Sequence, residues 1–232
     1  MKRMTQIIVV LLEVYALVLA HVQGLGGVRT DEAKYLLSIP YPHPPFLRQI
    51  LSMLDGLPFQ EWFWRAVFAT LLIQAVWLVW DMGKRLGHAE RFAMAATWLF
   101  SAAMPMQTGT VMMSVATALE ALVFLWLLYR DGKQVPSSEY QVPRFFKRTW
   151  KLALGTWNFF RGEQDQEKRE WHAFWVAALW FASLFTAYRI LLFVPIVIAV
   201  FTELKVSRTK KLFYFFAPIV VLCAYTAGNP LI

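Results

Sequence analysis

Long apolar runs separated by short polar segments dominate this chain, and the runs set its elements. A bilayer core of about 30 Å is crossed by roughly 20 apolar helical residues, with a range of about 17–25. The runs are Thr5–Val22, Trp62–Trp80, Phe92–Met106, Thr110–Tyr129, Trp171–Leu204 and Leu212–Thr226. The first follows Met1-Lys2-Arg3, as in a secretory leader, but Glu13 interrupts it and no small-residue cleavage pattern precedes a polar sequence. It reads as a retained anchor. At ~1.5 Å per residue, Trp171–Leu204 reaches about 50 Å, too long for one ordinary crossing.

Charge decides how that run divides. Basic residues gather in 130–170 and again in 205–211 (Lys205, Arg208, Lys210, Lys211). Lys and Arg mark short cytoplasmic loops, so both blocks belong on one side. Two crossings, 171–188 and 190–204, with a reversal near Arg189 satisfy this. The expected fold is therefore an all-α integral membrane protein of about seven spans (5–22, 62–80, 92–106, 110–129, 171–188, 190–204, 212–226) forming one domain over 1–232. With the N-terminus cytoplasmic, only Arg29, Lys34, Arg48, Arg65 and Arg189 of the 23 Lys and Arg fall outside the cytoplasmic segments. The expected location is a plasma or inner membrane.

Composition narrows the class. The chain is 58% hydrophobic and 16% charged, which excludes disorder and argues against a water-soluble enzyme. The net charge of +8 is explained by the topology blocks and gives no reason to expect a nucleic-acid partner. A single cysteine, Cys223, excludes an internal disulfide and a Cys-rich metal site. Two polar segments remain: an extracytoplasmic loop, 23–60, and a cytoplasmic segment, 131–170. Within the latter, 143–160 alternates Arg and Lys with Phe and Trp, as a helix lying in the headgroup region does.

The outer loop holds the candidate chemistry. It carries Thr30-Asp31-Glu32-Ala33-Lys34-Tyr35, then Pro42-His43-Pro44-Pro45, and Trp64-Arg65 follows at the start of the second span. An Asp-Glu-Ala-x-Tyr loop followed by His-Pro-Pro and a helix-opening Arg resembles the GT-C membrane glycosyltransferases. The resemblance is nearest to the branch of protein O-mannosyltransferases and lipid A aminoarabinose transferases, here in a short seven-span form with a helical first outer loop. It implies transfer of a sugar from a polyprenyl-phosphate donor to a lipid, glycan or protein hydroxyl on the extracytoplasmic face, with inversion.

The resemblance implies Asp31 as the base for the acceptor hydroxyl, a role that a fixed carboxylate suits. Glu32 supports it, and Tyr35 and His43 line the substrate. Lys34, Arg65 and Arg189 stand at the outer helix ends, where cations stabilise a departing lipid phosphate. A divalent ion, Mg²⁺ or Mn²⁺, would need Asp31, Glu32 and water. The turn Pro105-Met106-Gln107-Thr108-Gly109 lacks the second acid that many members carry there.

Each residue also has a plainer reading. Thr30-Asp31-Glu32 is a good helix start, an N-cap followed by acids. Glu13 and Glu120, inside spans, read as groups bonding neighbouring helices. Trp62, Trp64, Trp80, Trp171 and Tyr129 read as the interfacial aromatic belt. The rival functions are a non-catalytic subunit that binds a lipid-linked sugar for a partner protein, and a transporter of the lipid carrier.

Overall fold

The computed structural model describes residues 2–28, 30–37, 39, 45–101, 104, 107–131 and 166–228. His43, the amphipathic stretch 143–160 and the side chain of Asp31 lie outside the described residues. Among the described residues every regular element is helical. They are α1 (Lys2–Leu25), α2 (Thr30–Leu36), α3 (Phe46–Ser52), α4 (Gln60–Gln74), α5 (Val76–Met82), α6 (His88–Phe100), α7 (Met113–Asp131), α8 (Gln166–Thr186), α9 (Val194–Glu203) and α10 (Arg208–Ala227).

Four stretches are long and apolar enough to cross a membrane: Thr5–Leu25, Gln60–Met82, Met113–Arg130 and Arg208–Ala227. They coincide with four of the seven expected spans. The other three expected spans correspond to helices that do not meet this requirement. Helices α6 and α9, with 13 and 10 residues, reach only about 20 and 15 Å. Helix α8 has 21 residues, but its first turns carry Glu167, Lys168, Arg169 and Glu170.

Side-chain contacts fix how the helices run. The Lys210 ammonium bonds the Glu170 carboxylate at 2.7 and 2.6 Å, and Lys211 donates to the Thr202 carbonyl. These contacts gather the start of α8, the end of α9 and the start of α10 at one end of the molecule. Arg130 at the end of α7 meets His172 at the same end. Helix α8 therefore runs away from this basic end, α9 returns to it, and α10 leaves again alongside α8. Two ring pairs confirm the parallel register of α8 and α10: Trp180–Phe215, stacked at 5.7 Å, and Phe185–Tyr225 at 5.8 Å. The reversal expected near Arg189 is present. Helix α8 stops at Thr186, Ala187 is extended at φ −161°, and a 3₁₀ turn covers Tyr188–Phe193. Among the described residues, Arg130 of the first basic block and Lys210 and Lys211 of the second thus lie at the same end.

Two apolar cores stabilise the bundle. One joins Phe124 and Leu127 of α7 to Trp180 and Leu184 of α8 and Val197 and Phe201 of α9. The other packs Trp64, Phe68 and Ile73 of α4 against Ala16 and Ala20 of α1 and Tyr35, Leu36 and Leu51 of the loop helices. The outer faces of α1 and α10 expose Val10, Leu11, Val14, Phe213, Phe216 and Val220. Apolar exposure of this extent suits hydrocarbon rather than water. Glu13 does what its packing reading requires: its carboxylate accepts from Thr70 (2.7 Å) and Gln74 (3.4 Å) on α4. Trp64 departs from the belt reading. It is buried and donates to the Leu51 carbonyl at 3.1 Å, whereas Trp62 remains exposed.

Trp180 is fully buried, donates to the Phe215 carbonyl (3.0 Å) and meets the rings of Phe124 and Phe215. Trp180→Ala is expected to destabilise the fold by about 3–5 kcal/mol. The exposed Trp171→Ala should stay within about 0.5 kcal/mol, both measured by thermal unfolding in detergent. Equal effects would contradict the assigned core.

Candidate functional site

Glu32 and Arg65 of the motif meet at the end opposite the basic one. Helix α2 begins at Thr30 itself, so that Thr30 is its first helical residue rather than the expected N-cap, and at seven residues it is far too short to be stable alone. Tertiary contacts hold it. Glu32, Tyr35 and Leu36 are buried, a spacing of i, i+3 and i+4 that makes one inward face. Gln60 Nε2 donates to the Leu36 carbonyl at 3.0 Å. The same helical spacing puts position 34 away from that face.

Arg65 sits at the centre of the assembly. Its side chain and that of Glu32 are each only 1% exposed. A guanidinium has five N–H donors in a rigid fork, and here five acceptors meet them. Nε donates to Glu61 at 2.8 Å; Nη1 to Glu32 Oε1 at 2.9 Å and the Gly109 carbonyl at 3.0 Å; Nη2 to Glu32 Oε2 and the Gly27 carbonyl, both at 3.3 Å. Glu32 Oε1 also accepts from the Val111 backbone N–H at 2.9 Å. The residue after α1, helix α2, the start of α4 and the turn leading into α7 therefore converge on one side chain. Gly109 allows this approach. It has φ +80°, and a Cβ there would lie 2.9 Å from the Ala20 Cα.

This geometry revises several expected roles. Arg65 was expected to hold a carrier phosphate, but it is buried and its donors face carboxylates and carbonyls. Glu32 is committed to Arg65 and to Val111, so it is not available as a ligand for a divalent ion. Among the described residues no three His, Cys, Asp or Glu side chains gather as a metal site would need. Tyr35 is buried in the core beneath α2 rather than open to substrate. Lys34 is half-buried on α2. Arg189 is exposed on the 3₁₀ turn at the same end, beside exposed Leu191 and Leu192. His43 lies outside the described residues, as does the Asp31 side chain. Sequence reasoning missed Glu61, and the backbone groups of Gly27, Gly109 and Val111. The one local signal was Gly109, a glycine in a polar turn between two apolar runs.

Arg65→Ala leaves a buried carboxylate without its partner and is expected to cost about 3–5 kcal/mol. Arg65→Lys should fail to restore stability, because an ammonium brings three donors to five acceptors. Thermal unfolding of the purified variants in detergent checks both, and a lysine variant as stable as the parent would contradict the geometry. The chain matches no family model, no curated protein and no solved structure.

Proposed function

We propose that this protein is a membrane glycosyltransferase that takes a sugar from a polyprenyl-phosphate donor and passes it to a hydroxyl acceptor. In this reading the basic end faces the cytoplasm and the α2 end faces outward. Helices α6, α8 and α9 complete a seven-crossing, GT-C-like module beside the four apolar rods. The observation that carries the reading is the buried Arg65–Glu32 pair. It fixes a seven-residue helix in the outer loop and holds position 31, the motif aspartate, at a set place above the bundle.

The roles divide between anchoring and chemistry. Glu32 and Arg65 are positioning residues, because all their polar contacts lie within the protein. Asp31 takes the proton of the acceptor hydroxyl as that oxygen attacks the anomeric carbon. The bond from that carbon to the phosphate oxygen breaks, and the polyprenyl phosphate leaves with the electron pair. Attack opposite the leaving group inverts the centre. Arg189 stands exposed on its turn, where a cation meets a phosphate at headgroup depth. Leu191 and Leu192, exposed beside it, suit contact with the lipid tail. Lys34, one turn after Asp31, supplies a second cation near the reacting centre.

The test is turnover by the full chain in nanodiscs with labelled polyprenyl-phosphate hexoses and pentoses. Wild type should release or transfer the sugar. Asp31→Asn should lower kcat by about 10²–10⁴-fold with donor binding retained. Arg189→Ala should act mainly by weakening donor binding. Equal turnover by wild type and Asp31→Asn removes the base assignment. Donor binding without turnover by the wild type replaces the enzyme with a binding subunit.

A further inference from the structure

Helices α7 and α8 pack antiparallel, with their register set by the edge-on contact of Phe124 and Trp180, ring centroids 6.3 Å apart. One to two turns further from the basic end the interface becomes polar. Thr117 and Glu120 lie at i and i+3 on α7, and Ser183 and Thr186 at the same spacing on α8, so each pair shares a face. The three hydroxyl residues are buried, and the hydroxyls of Thr186 and Ser183 lie beside the Glu120 carboxyl.

These groups do not satisfy one another. Thr117 Oγ, Glu120 Oε2 and Ser183 Oγ have no hydrogen-bond partner among the described residues. Hydroxyls inside helices commonly bond back to the carbonyl one turn earlier. Thr186 does so, donating to Ala182 at 2.9 Å, whereas Thr117 and Ser183 do not. Helix α8 also ends at Thr186, so the negative end of its dipole points at the same place.

Among the described residues no cation is paired with the Glu120 carboxyl. The elements packed on α7 carry buried Arg65, its partly exposed partner Glu61, and Asp81, paired with Lys84. The charged groups of α8 (Glu167, Arg169, Glu170, with His172) belong to its opposite end, as does Glu203 of α9. Arg189, on the 3₁₀ turn, is exposed. No ion pair to Glu120 forms among these described side chains. An unbalanced carboxylate in such a setting is costly.

We propose that buried Thr117, Ser183 and Thr186 and half-buried Glu120 form an oxygen-lined site for one monovalent cation, a sodium ion or a proton, held between α7 and α8. One carboxylate among neutral hydroxyls carries a single negative charge, which one such cation balances. A divalent ion would call for more carboxylates. Oxygen groups at an interrupted helix end are a recurrent way to hold Na⁺ or H⁺ inside membrane proteins. The inference stands on the α7–α8 packing and is independent of the transferase reading.

The experiment uses the full chain in nanodiscs, with choline chloride keeping ionic strength constant. If sodium is the occupant, equilibrium dialysis with radioactive sodium should give about one ion per chain, and sodium but not choline should raise the melting temperature. Glu120→Gln should abolish both effects, and Ser183→Ala should weaken affinity about tenfold or more. If a proton is the occupant, sodium should have no effect. A proton bound in the fold and released on unfolding makes the melting temperature fall as pH rises, and Glu120→Gln should flatten that slope. Identical sodium and pH responses in wild type and Glu120→Gln overturn the site. Should Glu120→Gln not fold, the pair Thr117→Ala and Ser183→Ala decides: a weakened response supports the site and an unchanged one overturns it.

Discussion

A guanidinium removed from water must find partners for all of its donors, and Arg65 finds them in four separate segments of the chain. Desolvating two charges costs several kcal/mol per ion, and their attraction offsets this only with good geometry and further hydrogen bonds. Those further bonds come from the Gly27 and Gly109 carbonyls, Glu61 and the Val111 N–H. The end of the bundle opposite the basic one is therefore assembled around a polar centre. Helix α2, the tip of α1 and the turn before α7 depend on that one side chain for their relative placement.

This constraint changes what the motif residues are for. Glu32 is the acid of the motif that faces inward: it is buried, bonds Arg65 and so anchors the short helix. Of the arginines expected to meet a carrier phosphate, Arg65 is buried in its own network and Arg189 remains exposed on its turn.

Much of the fold was legible because it follows from local pattern and charge. The four apolar rods appear nearly as their hydrophobic runs drew them, and the break in the 171–204 run lies where length and the two basic blocks required it. Helices α6, α8 and α9 were legible as helices but fall short as apolar rods, because pattern fixes helicity before it fixes a helix's ends. The latch was not legible, since residues 32 and 65 meet through a tertiary approach and an arginine opening a helix looks the same whether it faces water or a carboxylate. Nor could Glu13 and Glu120 be told apart as intramembrane acids. Only the neighbouring helices show that Thr70 and Gln74 satisfy the first, while the second faces hydroxyls that leave Oε2 unpartnered.

The measurement that bears most directly on this account is a double-mutant cycle between positions 32 and 65, read by unfolding in detergent. Glu32→Gln, Arg65→Gln and their combination are compared with the parent. The account predicts strong coupling, about 1–3 kcal/mol, with the double variant markedly less destabilised than the sum of the singles. Additive losses would mean that the two side chains do not meet in the folded protein, and the outer loop would then lack the anchor on which its proposed chemistry depends.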